Sequence, residues 1–118
     1  MDKCDSIRLV LVTAPDPDIA GQIAKTLLEK GLAACVNIFS GLRSLYRWEG
    51  KIQDDNEVLL MIKTRADLID KDLIPIVQEL HPYQFPEIIA LPVVGGEQSF
   101  LDWIFSETTR VEKKTPED

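Results

Sequence analysis

The chain has 118 residues, 45% of them hydrophobic and 28% charged, which is enough for one packed domain with a real core and too few for two. A formal net charge of −7 and a pI near 4.7 argue against a nucleic-acid surface, which needs clustered Lys and Arg, and against docking on an anionic membrane. No apolar run is long enough to span a bilayer, and the opening residues MDKCDSIR lack the charged-then-apolar pattern of a secretory signal, so the expected location is the cytoplasm.

Ile7 to Ala14 is rich in β-branched and aliphatic residues and reads as a strand that stops at Pro15. Asp16 then stands as an N-cap, Pro17 at the first helical position and Asp18 in the first turn, where a carboxylate suits the helix dipole. Ile19, Ile23, Ala24, Leu27 and Leu28 follow at helical spacing, and Gly31 closes the helix.

Two long apolar runs come next, Leu32 to Trp48 and Lys51 to Thr64, joined by Glu49-Gly50. Gly50 can adopt the positive φ of a tight turn, so the pair reads as an antiparallel hairpin. A strand of about 14 residues at about 3.4 Å each reaches roughly 45 Å. A compact domain of this length has a radius of gyration of only about 13.5 Å, so the ribbon should overhang its own core.

Thr64 and Asp67 resemble a capping box ahead of a second amphipathic stretch, with Leu68, Ile69, Leu73, Val77 and Leu80 on its apolar side. Pro75 should kink or split that stretch, and His81-Pro82 ends it. Pro86 to Val94 reads as a strand that Pro92 confines to a sheet edge or a bulge. Gly95-Gly96 turns the chain into a last helix, Ser99 to Thr109, carrying Phe100, Trp103, Ile104 and Phe105. Residues 1–110 are read as the domain and 111–118 as a charged, disordered tail.

Strand, helix, strand, strand, helix, strand, helix is an α+β order. It matches a ferredoxin-like βαββαβ sandwich with an added C-terminal helix. Both faces of the strands are largely apolar: Val36, Val58, Leu60, Ile62 and Ile88 alternate with Phe39, Leu59, Met61, Ile89 and Leu91. Two helices cover one face only. A wet aliphatic side chain forfeits about 1.5–3 kcal/mol, against a total stability of about 5–15 kcal/mol, so copies of the chain are expected to associate.

Four stretches stand out together: Gly31 to Ile38 (GLAACVNI), Tyr46 to Ile52 (YRWEGKI), His81 to Ile88 (HPYQFPEI), and Phe100 to Ile104 (FLDWI). In this order and spacing they resemble the CutA family, named for divalent-cation tolerance, from about Ile7 to Arg110. The resemblance implies ferredoxin-like subunits in a tight homotrimer, with the long hairpins packed between subunits. That architecture is also similar to the PII signalling proteins. It further implies an association with copper and other divalent metals. Phe100 stands where many members carry Tyr, which removes a hydroxyl from the last helix.

The ligand inventory is sparse. His81 is the sole histidine, and the two cysteines are Cys4 and Cys35. One chain cannot supply the four Cys or His ligands of a structural zinc site, and no loop has the EF-hand pattern. A shared or exposed site for a thiophilic or imidazole-seeking ion remains, and copper suits it best by ligand softness and by the Irving–Williams order. The resemblance carries Cys35 and His81 into the role of metal ligands, assisted by Glu57 or Glu87. Cys4 could add a ligand only if the N-terminal segment folds back. Cys35 on an apolar strand reads more readily as a small core residue, and His81 equally as a helix-end cap bonded to nearby carbonyls.

A second reading is a small-molecule pocket between subunits. Trp48, Tyr83 and Trp103 would form flat walls, with Asn37, Glu57, Lys63 and Glu87 as polar anchors. The plainer version of the same residues has the aromatics as interface core and Lys63 paired with Glu57 or Glu87. A third is a scaffold that presents surfaces to a partner protein. Catalysis is not expected, because Cys35 with His81 would need an activated thiolate, and no phosphate loop or dinucleotide motif is present.

Overall fold

The computed structural model describes residues 6–109; Cys4 and the tail from Val111 lie outside them. Strand β1 (Ile7–Ala14) leads into α1 (Pro17–Glu29), where Asp16 Oδ1 accepts the Ile19 N–H at 2.9 Å. The end of α1 is a Schellman turn. Gly31 sits at φ 71°, its N–H donates to Leu28 O at 3.1 Å, and Leu32 N–H returns to Leu27 O at 2.9 Å. That turn delivers Leu32 and Ala33 into the core, so β2 begins at Cys35 rather than at Leu32 as the apolar run suggested.

β2 (Cys35–Trp48) and β3 (Lys51–Arg65) form the long hairpin, with Glu49 and Gly50 at positive φ in the turn. The expected capping box does not form. Thr64 is fully buried and donates Oγ1 to Leu32 O at 2.7 Å, which ties β3 to the start of the hairpin, while Asp67 pairs with Arg65. A 3-10 turn (Ala66–Leu68) and a π turn (Ile69–Leu73) precede α2 (Ile74–Leu80). Pro75 causes the break: it has no N–H for the carbonyl of Lys71, and its ring crowds that carbonyl. β4 is shorter than expected, Ile88–Pro92, and α3 spans Gln98–Glu107 with the Glu97 carboxylate accepting the Phe100 N–H at 2.7 Å.

The sheet is antiparallel with order β2-β3-β1-β4, so Pro92 lies on an edge strand where its missing N–H breaks no ladder. α1 and the α2 region cover one face. There Val10, Val12, Val58, Leu60 and Ile62 pack against Ile23, Leu27, Leu68, Leu73 and Val77. α3 covers one end of the opposite face, through Ile7, Leu101 and Ile104. The rest of that open face is left uncovered by the described residues: Phe39 and Ile89 are each 50% exposed, and Leu9, Leu11, Leu59 and Met61 are half-buried beside them.

The ribbon overhangs as its length requires. β1 leaves β3 at the Ala14–Val58 pair, and from Glu57 to Lys51 β3 has only β2 beside it. The described chain measures 49 × 39 × 23 Å with a radius of gyration of 15.5 Å, above the roughly 13.5 Å of a compact chain of this length. Near the start of the overhang, β2 carries a bulge. Phe39 pairs with Leu59 but Leu42 with Glu57, so one extra residue is held in β2, and Gly41 sits there at φ 82°. Among the described residues no helix is long and apolar enough to cross a membrane.

Candidate functional site

The bulge decides which side chains meet. Because side chains alternate along a strand, one extra residue moves everything beyond it to the other face. Cys35, Asn37 and Phe39 lie on the open face before the bulge; Tyr46 and Trp48 join that same face after it, opposite Gln53 and Lys51. The segment between α2 and β4 folds up beside them. Together they enclose a cleft of about 800 Å³ under the overhanging ribbon, walled by Tyr46, Trp48, Tyr83 and Phe85 with Glu57 and Glu87 in its lining. Trp48 meets Phe85 edge-on, with ring centroids 5.9 Å apart.

His81 anchors that segment. It is 6% exposed; its Nε2 lies 2.6 Å from Thr13 O, and its Nδ1 accepts the Tyr83 N–H at 3.2 Å. The two bonds assign the neutral tautomer with the proton on Nε2. Thr13 O is available because β4 pairs with β1 only as far as Val12–Ile88. The ring also packs on Tyr83, with centroids 4.7 Å apart.

Glu57 is only 7% exposed and lines the cleft beside Tyr83. Burial first, and then the Glu57 charge, raise the Tyr83 phenol above the ordinary tyrosine range. Tyr46 is pushed up to about 12, mainly by its hydrogen bond to Asp55. On the ribbon, Arg43 is held by both oxygens of Asp54 at 2.9 and 2.7 Å, and this bond also holds Asp54 below the usual carboxylate range.

The residues read from the sequence therefore fall into two groups. Trp48, Glu57, Tyr83 and Glu87 line the cleft, with His81 immediately behind Tyr83. Cys35, Asn37 and Lys63 form a separate set at the far end of the hairpin, where Lys63 Nζ donates to Asn37 Oδ1 and lies 3.7 Å from Cys35 Sγ. Lys63 thus does not pair with Glu57 or Glu87. Trp103 stands apart from both groups on α3, packed on Phe100 at 5.6 Å. Within one subunit Cys35 and His81 are not neighbours: their β1 rows, Leu9 and Thr13, lie four residues or roughly 14 Å apart. Tyr46, Asp55, Arg43 and Phe85 are site residues that the sequence pattern alone did not single out. Gly41, as a bulge glycine, was the signal that could have found Tyr46.

A model of the CutA1 divalent ion tolerance protein family matches residues 8–107. The chain belongs to that family. It is 48% identical over 100 residues to the divalent-cation tolerance protein CutA of Thermus thermophilus, covering 85% of this chain and 96% of that one. The mouse protein CutA is 43% identical over 106 residues, which are 90% of this chain but only 59% of the mouse chain. Among solved structures, the T. thermophilus protein superposes with a TM-score of 0.85 at 47% identity, covering 87% of this chain and 99% of that one. CutA1 from Oryza sativa gives 0.87 at 41% identity, covering 93% and 100%.

Family membership directs attention to divalent ions, and the side chains bear on where one could sit. Among the described residues no group of three or more His, Cys, Asp or Glu is placed to hold a metal ion. His81 has both ring nitrogens engaged, and Cys35 faces an ammonium group. The described residues of one subunit do not assemble a chelating set.

Proposed function

We propose that this protein acts in divalent-cation tolerance as a cytoplasmic homotrimer of ferredoxin-like subunits. In this reading it binds copper, with other divalent ions as weaker ligands, and catalyses no reaction. The observation that carries it is the open face of the sheet together with the overhanging ribbon, which leaves Phe39, Ile52 and Ile89 exposed in a family of divalent-ion tolerance proteins. Burying each such side chain against a neighbouring copy is worth about 1.5–3 kcal/mol. Association would also bring donors from different chains together, a grouping that the described residues of one subunit lack. Copper is favoured by the soft thiolate of Cys35 and by the Irving–Williams order. Of the two donors read from the sequence, Cys35 is the more available; His81 would have to surrender its bonds to Thr13 and Tyr83.

Two measurements test this. Light scattering should return three chain masses at micromolar concentration, and a well-folded species of single-chain mass would end the association argument. Copper titration should give saturable binding that Cys35→Ser weakens, with His81→Ala as the companion. Unchanged stoichiometry and affinity in both variants would remove these residues from the metal role. The cleft supports a second reading, a small-molecule site, because it is concave and lined by four aromatic side chains together with polar groups.

A further inference from the structure

The cleft beneath the ribbon has a chemistry that divalent-ion binding does not use. Tyr46, Trp48, Tyr83 and Phe85 stand in its lining, and an aromatic face attracts a cation through the ring quadrupole. The charged groups of its lining are Arg43, Glu57 and Glu87. Arg43 is already neutralised by its two-pronged bond to Asp54, so the remaining charge is negative. Glu57 is the deeper carboxylate, 7% exposed, and among the described residues no Lys or Arg pairs with it. A carboxylate this little exposed, with no Lys or Arg beside it among the described residues, is a natural counter-ion for a cation that enters the cleft.

A metal ion is a poor occupant, because among the described residues no group of three or more His, Cys, Asp or Glu is placed to hold one. A cation whose charge is spread over alkyl groups has the opposite needs: a weakly held hydration shell to lose and flat rings to lie against. We propose that this cleft binds an organic cation, with an alkylated ammonium head seated against Trp48, Tyr83 and Phe85 and with Glu57 as its counter-ion. The volume of about 800 Å³ is larger than such a head, so the natural ligand carries a tail that runs along the ribbon past Tyr46. The proposal does not depend on metal binding and survives its failure.

Choline chloride is the probe, titrated calorimetrically into the full-length protein in its native oligomeric state. The control is the uncharged carbon isostere of choline, in which a tert-butyl group replaces the trimethylammonium. Choline should bind saturably, once per chain, and the isostere about tenfold more weakly. Glu57→Gln keeps the side-chain shape and removes the charge; it should weaken choline about tenfold while leaving the isostere unchanged. Trp48→Leu, at an exposed position, should also weaken choline more than the isostere and guards against a folding defect at the buried site. Equal affinity for choline and isostere would overturn the proposal and leave only an apolar groove. So would the absence of saturable binding up to about 10 mM, or unaltered choline binding in both variants. Binding seen only after the oligomer is dissociated would overturn it as well, because a neighbouring copy would then fill the cleft.

Discussion

Replacing His81 with alanine separates a structural tie from a ligand. The imidazole bonds Thr13 O at 2.6 Å and the Tyr83 N–H at 3.2 Å, in a position only 6% exposed. Without the ring, both backbone groups lose their partner. A buried group left unmet costs about 1–3 kcal/mol, and the longer bond to the partly exposed Tyr83 belongs at the low end. Losing the ring's packing on Tyr83 adds about 0.5–1 kcal/mol, and a water entering the gap returns part of the total. The expected loss is about 2–4 kcal/mol, a large share of a stability of about 5–15 kcal/mol. Guanidinium unfolding followed by tryptophan fluorescence measures it, at fixed protein concentration because association shifts apparent stability. His81→Gln should restore part of the loss, since its amide can donate to Thr13. A His81→Ala midpoint corresponding to less than about 0.5 kcal/mol would refute the structural reading.

Tyr46 should ionise near pH 12 in a spectrophotometric titration, and Asp55→Asn should return it toward the ordinary 10. Because the folded state holds this proton more tightly than the unfolded chain, the contribution is fully present below pH 10 and is lost as pH rises through about 12. A wild-type and an Asp55→Asn titration that coincide would exclude the Tyr46–Asp55 bond. At Gly41 a methyl group would meet nothing within 4 Å, so the cost of Gly41→Ala is the backbone term alone. With φ at 82° that is about 1–2 kcal/mol, read from the denaturation midpoint, and an unchanged midpoint would show that the bulge does not need the left-handed conformation.

The elements that the sequence made legible are those whose cause is local. Asp16-Pro17 opens α1, Gly31 closes it, Pro75 breaks the second helical stretch and Pro92 confines β4 to an edge; each acts through its own φ or its own missing donor. The errors come where tertiary contacts override the local pattern. Leu32 and Ala33 alternate like strand residues, but the Schellman turn spends them on the core. Thr64 looks like an N-cap because a carboxylate follows three residues later, yet a buried hydroxyl finds a stronger call on it in Leu32 O. The cleft was half legible. Trp48, Glu57, Tyr83 and Glu87 could be picked out as residue types that build ligand sites. Their division from Cys35, Asn37 and Lys63 could not, because it depends on strand register.

Register also explains why the ribbon and the cleft belong together. Strict alternation from Val36 would place Tyr46 and Trp48 on the helix-covered side, away from Glu57. The extra residue held near Gly41 reverses that parity and brings both rings over the open face. The same distortion falls near the point where β1 ends and the hairpin continues unaccompanied. One glycine-dependent bulge therefore both re-aims the overhanging ribbon and builds two walls of the cleft. The opposite walls, Tyr83 and Phe85, come from the segment tied to the sheet by His81. A ligand touching both sides would bridge the ribbon and the sheet, and by linkage whatever factor a neighbouring copy's hold on the ribbon imposes on that ligand's affinity, the ligand imposes on the copy's hold.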